Sequence, residues 1–157
     1  MSTVDLSTYG GALLEVGYAG QIVDLNTASI ISRSNESATA IDFGGVVVRG
    51  AADNTCKPIA ATNDSILGIA VRHPIQVSSV VPGSTPDIKY ARYSSVAILE
   101  IGRIFVTAGA NVTRGNAVYS TAAGVLTDVS SGNAAIPGAV WDTTTTNGNI
   151  GVIRIAK

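Results

Sequence analysis

Apolar and polar residues alternate with a period of two along much of this chain, and that period predicts strands. The clearest stretch is Gly102 to Val129, GRIFVTAGANVTRGNAVYSTAAGVLTDV. Ile104 and Val106 alternate with Arg103, Phe105 and Thr107, the pattern of a strand with two different faces. Ala108-Gly109-Ala110-Asn111 and Arg114-Gly115-Asn116 supply turn chemistry. Ala117 to Ser120 reads as the next strand, and Ala122-Ala123-Gly124 connects it to another over Val125 to Val129. Similar signals recur at Ile22–Leu25, Ile30–Arg33, Val46–Val48, Ile66–Val71, Lys89–Tyr93, Val96–Val106, Ile136–Trp141 and Ile150–Ile155. Val46-Val47-Val48 lies between Gly44-Gly45 and Gly50, as a buried strand bounded by glycines would.

The breaks are equally legible. Residues 51–64 are polar, contain Pro58 and read as a loop. His73 to Asp87 carries Pro74, Pro82 and Pro86, which predicts an excursion with one edge segment over Gln76–Val81. Ser94-Ser95 and Gly102 are expected bends inside long strands. Asn147-Gly148 is a strong turn signal, and the threonine run before it predicts an exposed tip. No period of 20–50 residues repeats. The expected fold is all-β: a small distorted β-barrel or sandwich of about ten strands with an extended N-terminal arm. The arm covers residues 1–19, and residues 20–157 form a single β domain.

The arm is too broken by Gly10-Gly11 for a core element and too apolar for a plain tail. Tyr9, Leu13, Leu14, Val16 and Tyr18 are its expected anchors. It either folds back on its own barrel or reaches a neighbouring subunit.

Composition narrows the function. Charged residues make up 13% of the chain, about half the usual quarter. Ser, Thr, Asn and Gly must therefore coat the surface, which suits a protein partly covered by partners. The net charge is −1, with Lys and Arg scattered singly, so no basic patch for nucleic acid is legible. Arg33 and Arg49 lie in or beside strands, where they can pair with a partner's carboxylates or serve as ordinary rim charges. A single cysteine, Cys56, excludes an intrachain disulfide. No stretch reads as a secretory signal or a membrane span, and the expected site of synthesis is the cytoplasm.

Catalytic chemistry is missing. His73 is the one histidine, and no Gly-x-Ser-x-Gly elbow accompanies it. One Cys and one His cannot close a zinc site, and no phosphate-binding glycine loop is present. No catalytic residue, metal site or cofactor is expected. Trp141, the sole tryptophan, is either a core plug or an interface anchor.

The order of these blocks resembles the cement or decoration proteins of tailed-bacteriophage heads. The residues that carry the resemblance are Gly102-Arg-Ile-Phe-Val106, a small-residue turn, Arg114-Gly-Asn-Ala-Val-Tyr119 and a Gly-centred hairpin. Gly20–Leu25, Ile31–Arg33, Ile41–Gly44, Val47–Gly50, Ile66–Arg72, Ala135–Trp141 and Gly151–Ile155 follow the same order. The resemblance implies a structural virion protein with no enzymatic activity. Its partners would be the major capsid protein and further copies of itself, as a homodimer or homotrimer, with no direct nucleic acid and no membrane. It would sit on the outer capsid surface and strengthen the shell by bridging capsid subunits. A receptor- or carbohydrate-binding β-module of a tail or fibre is the alternative.

Overall fold

Three valines in a row cannot alternate between core and water, and the fold resolves this by burying both faces of their strand. The computed structural model describes residues 17–73 and 89–156. Eleven strands follow one another, with no helix among the described residues: β1 Ser29–Asn35, β2 Ile41–Asp42, β3 Val46–Arg49, β4 Thr55–Pro58, β5 Ile66–Ala70, β6 Lys89–Tyr90, β7 Ser95–Thr107, β8 Ala117–Ser120, β9 Leu126–Thr127, β10 Ala134–Trp141 and β11 Ile150–Ile155.

Five of them close into a barrel. β1 pairs in parallel with β4, β4 with β3, β3 with β5, β5 with β7, and β7 returns to β1. The long strand β7 then leaves the barrel. Its second half, from Gly102 to Thr107, pairs with β11. β10, β8 and β9 extend that outer sheet. An isolated parallel bridge from Leu126 to Ala108 ties the last strand back to the residue after β7. The change of partners occurs where β7 turns through Gly102, at a φ of 133° that L side chains rarely adopt. The bend expected at Gly102 is therefore present, whereas Ser94 precedes β7 and Ser95 begins it.

Two apolar clusters result. One fills the barrel and contains Val47, Cys56, Ala70, Val96 and Ile98, with Ile41, Phe43 and Tyr90. The other lies between the outside of the barrel and the outer sheet. Val46, Val48, Ile69 and Leu99 enter it from the barrel side, and Ile104, Val106, Ile136, Trp141 and Ile153 from the sheet side. β3 thus sends Val47 inward and its two neighbours outward into apolar surroundings on both sides, which is why its sequence shows no polar alternation.

Other expectations shift. Thr55–Pro58 is a strand, not a loop: only Cys56 of its residues is buried, too short an alternation to detect, and Pro58 ends it because proline has no amide to continue a ladder. Ile22 makes one bridge, to Ile104, in place of the expected strand over 22–25. The strand read at Lys89–Tyr93 stops at Tyr90, since Tyr93 adopts a left-handed φ of 63° in the following turn. The threonine run is exposed at Thr144 and Thr146, as expected of a tip, but its other two threonines are tied to the sheet. Thr145 bridges Val112, and the Thr143 hydroxyl accepts from the Val152 amide at 2.9 Å. The segment expected over Gln76–Val81 lies outside the described residues.

In β10, residues 136–139 bulge away from the pairing with β8. Gly138 is required there: its φ is 70°, and a Cβ would stand 1.8 Å from the Ala156 carbonyl oxygen.

Candidate interaction surface

Several polar and reactive groups among the described residues hold the fold together. Cys56 is fully buried in the barrel, and burial, reinforced by Glu36, pushes its thiol up to about 11. A thiol so poorly ionised is no nucleophile at neutral pH. Glu36 accepts hydrogen bonds from the Ala51 amide at 3.0 and 3.1 Å. Its pKa falls below the ordinary carboxylate value, chiefly through the Thr55 hydroxyl and then this amide. Asp64 is lowered in the same way by the amides of Ala60 and Ala61, at 3.0 and 2.9 Å. Arg103 bridges Asp142 at 2.5 Å and Asp24 at 3.3 Å, and the Asp142 bond first of all raises its pKa. Asn35, fully buried, donates to the carbonyls of Thr39, Tyr90 and Ala91 and accepts from the Ser37 amide. No group of three or more His, Cys, Asp and Glu side chains able to hold a metal ion occurs among the described residues. This chemistry suits holding loops and strands together.

The surface carries a groove. The β2–β3 turn, Asp42 to Gly45, faces the turn between β8 and β9, Ala123 to Val125, and the space between them forms two adjoining depressions of about 310 and 500 Å³. Both share Asp42, Gly45 and Gly124. The larger is lined by Phe43, Ala108 and Val125 and by several glycines. Lys89 stands at its edge, paired with Asp42 at 3.2 Å. A separate depression of about 440 Å³ lies beside Tyr18, Gln21, Ile22, Val71 and Arg72.

The residues singled out in the sequence do not gather in one place. Tyr18 is 64% exposed, with the Arg72 guanidinium 4.9 Å above its ring. Arg33 is half-buried and donates to the Asp53 carbonyl and the Asn54 side chain, so it braces the loop between β3 and β4. Arg49 is exposed at the end of β3, opposite Cys56 in register. Tyr9, Leu13, Leu14 and Val16 lie outside the described residues. The root of the arm is tied down: Gly20 donates to the Phe105 carbonyl at 2.7 Å and accepts from the Arg72 amide at 2.6 Å. Trp141 is a core plug, 1% exposed, with its indole N–H directed at the Thr127 carbonyl.

Sequence reading missed the groove. Its walls come from turns some eighty residues apart, and Gly44-Gly45 and Gly124 read only as punctuation between strands.

The profile of the structural cement protein family (E217 gp24/Pam3 gp6) matches residues 6–156. No curated protein matches the chain. Among solved structures, a chain from the capsid of Myoviridae phage XM1 is similar over 89% of this chain and 90% of its own, with 22% identity and a TM-score of 0.68. That likeness is one of fold.

Proposed function

This chain belongs to the family of phage structural cement proteins, and from that premise we propose that it binds the outer surface of a phage head as a homo-oligomer and bridges major capsid subunits. Family membership over nearly the whole chain is the observation that carries the reading. The fold is consistent with it. Two apolar clusters let the domain fold before it meets a capsid. Its described polar groups brace loops, as a structural role requires. Its low charge leaves much of the surface to Ser, Thr, Asn and Gly, which are desolvated at lower cost than ions.

Magnitudes favour an oligomer. Burying roughly 300 Å² of apolar surface gives about 7 kcal/mol, which is within the range of about 4–15 kcal/mol lost on association. One such contact therefore leaves little surplus. Two or three linked contacts within one oligomer share the association cost, and the later ones bind at high effective concentration. The residues expected at the contact are the arm, residues 1–19, with Tyr9, Leu13, Leu14, Val16 and Tyr18, together with Arg33 and Arg49 on the strands.

Co-sedimentation with expanded, undecorated heads of the phage tests the proposal. Saturable binding at a fixed ratio to the major capsid protein is the expected result, and removing residues 1–19 is expected to weaken it. A well-behaved free oligomer that never binds heads would sink the capsid reading in favour of a receptor- or carbohydrate-binding module.

A further inference from the structure

We propose that in the free protein the N-terminal segment, residues 1–16, folds back into the groove of its own chain, between the β2–β3 turn and the β8–β9 turn. The inference goes beyond the capsid reading and does not rest on it.

The described chain ends at the mouth of that groove. Phe105 and Thr107 lie on the same face of β7, about 7 Å apart by strand geometry. Gly17 packs on the Phe105 ring, where a Cβ would stand 2.6 Å from a ring carbon, and Thr107 lines the groove. Ala19 is itself a groove residue. Gly20 and Gly44 meet main chain to main chain: a Cβ on Gly20 would stand 2.8 Å from the Gly44 nitrogen, and one on Gly44 2.9 Å from the Gly20 nitrogen. Gly44 belongs to the β2–β3 turn, so one wall of the groove touches the root of the arm. Arg72 joins the two as well. Its guanidinium stands 4.9 Å from the centre of the Tyr18 ring and 5.7 Å from that of Phe43, a groove residue.

The groove calls for apolar side chains. Its lysines are already paired, Lys89 with Asp42 at 3.2 Å and Lys57 with Asp64 at 4.0 Å. Phe43 and Val125 supply apolar surface, and Val125 is 42% exposed although it is a large aliphatic residue. In an extended segment Ala12, Leu14 and Val16 share one side, with Leu13 and Glu15 on the other. The first side matches the groove, and the second keeps the Glu15 carboxylate in water. Five extended residues span about 17 Å, enough to enter a groove that begins beside Gly17.

Concentration favours the chain's own segment over that of a second copy. A tether that starts beside the groove gives the segment an effective concentration on the order of millimolar there, and closing so short a loop costs little entropy. A second copy offers its segment only at the concentration of the protein itself. The chain's own arm therefore fills the groove first.

Disulfide trapping tests this. Two double variants are oxidised as dilute protein, Leu14→Cys with Val125→Cys and Val16→Cys with Thr107→Cys. Cys56 is buried and is left unchanged. The expected result is a bond within one chain in at least one pair, formed at least tenfold faster than in the same variant unfolded in urea. No such bond in either folded pair overturns the proposal and leaves the groove to another occupant. Mixing the single variants Leu14→Cys and Val125→Cys should give no covalent dimer, and a dimer joined through these two cysteines overturns the proposal in favour of exchange between copies. If one double variant fails to fold, the other decides. If both fail, hydrogen exchange decides: removing residues 1–16 should speed exchange at the Gly124 and Val125 amides at least tenfold, and unchanged rates overturn the proposal. No phage head enters these measurements, so their outcome is independent of the capsid reading.

Discussion

The barrel and the outer sheet share one strand, β7, but are built differently. The barrel has a small lumen, closed by main-chain pairing all round and stapled by buried polar groups. Asn35 fastens the loop after β1 to the turn after β6, and the Tyr90 hydroxyl donates to the Val71 carbonyl at 2.5 Å. The outer sheet has few such staples in its interior. It is held by a larger apolar cluster with Trp141 in it, to which the barrel strands contribute Val46, Val48, Ile69 and Leu99. The barrel is thus closed by its own hydrogen bonding, while the outer sheet depends on the barrel's outer surface. A strand that serves both, such as β3 or β5, must be apolar on both faces.

The sharpest way to break this comparison is at Trp141. Trp141→Ala removes the largest side chain from the shared cluster and is expected to cost about 3–5 kcal/mol in denaturant unfolding. Hydrogen exchange should then rise in β8, β10 and β11 more than in β1 and β4. Equal loosening throughout would show that the two regions are one unit.

Ile98→Ala probes the barrel lumen and is expected to cost about 2–5 kcal/mol. Because β7 runs through both regions, unfolding should remain a single transition. Two separated transitions in calorimetry would contradict that coupling.

Asn35→Ala leaves the carbonyls of Thr39, Tyr90 and Ala91 without their donor, and about 1–3 kcal/mol is expected to be lost. The same measurement on Asn35→Asp distinguishes the donor from the packing. A carboxylate cannot supply the three bonds, so Asn35→Asp must be at least as damaging.

The smallest effect is the pH dependence of the barrel's loops. Glu36 and Asp64 have folded pKa values below their ordinary ones, through hydrogen bonds to the Thr55 hydroxyl and to loop amides. Their contribution is present above the unfolded values of about 4 and is lost as pH falls through the lowered folded values. Acid should therefore loosen the β3–β4 and β4–β5 loops. The melting temperature of Glu36→Gln should fall less than that of the wild type between about pH 5 and pH 2. Parallel curves would show that the carboxylate at Glu36 does not contribute.

Much of the fold was readable in advance where a strand has one wet face or a sharp boundary. β11 was read at its full extent, and β8 likewise, because turns flank both and their residues suit a pleated surface. β4 escaped notice because a single buried residue, Cys56, makes no pattern. β9 shrank to two residues because Val125 and Val129, which continue its apolar alternation, are exposed at its ends. At Gly20, main-chain bonds to Phe105 and Arg72 tie the chain to the domain. The groove could not be read at all, since its residues are ordinary turn formers until two distant turns meet.

The sequence by itself determined the all-β class, most strand positions and the family, because periodicity, turn residues and the order of blocks are local properties written along the chain. It also determined the lack of a recognisable catalytic motif. Only the tertiary structure decided that five strands close on themselves, that β7 divides its two halves between barrel and outer sheet, and that Arg33 braces a loop while Arg49 stays in solvent. Those outcomes depend on register and closure, which bring residues together across tens of positions. Hydrophobic pattern sets which face a strand buries, but which strand it buries that face against is fixed by the geometry of the whole sheet.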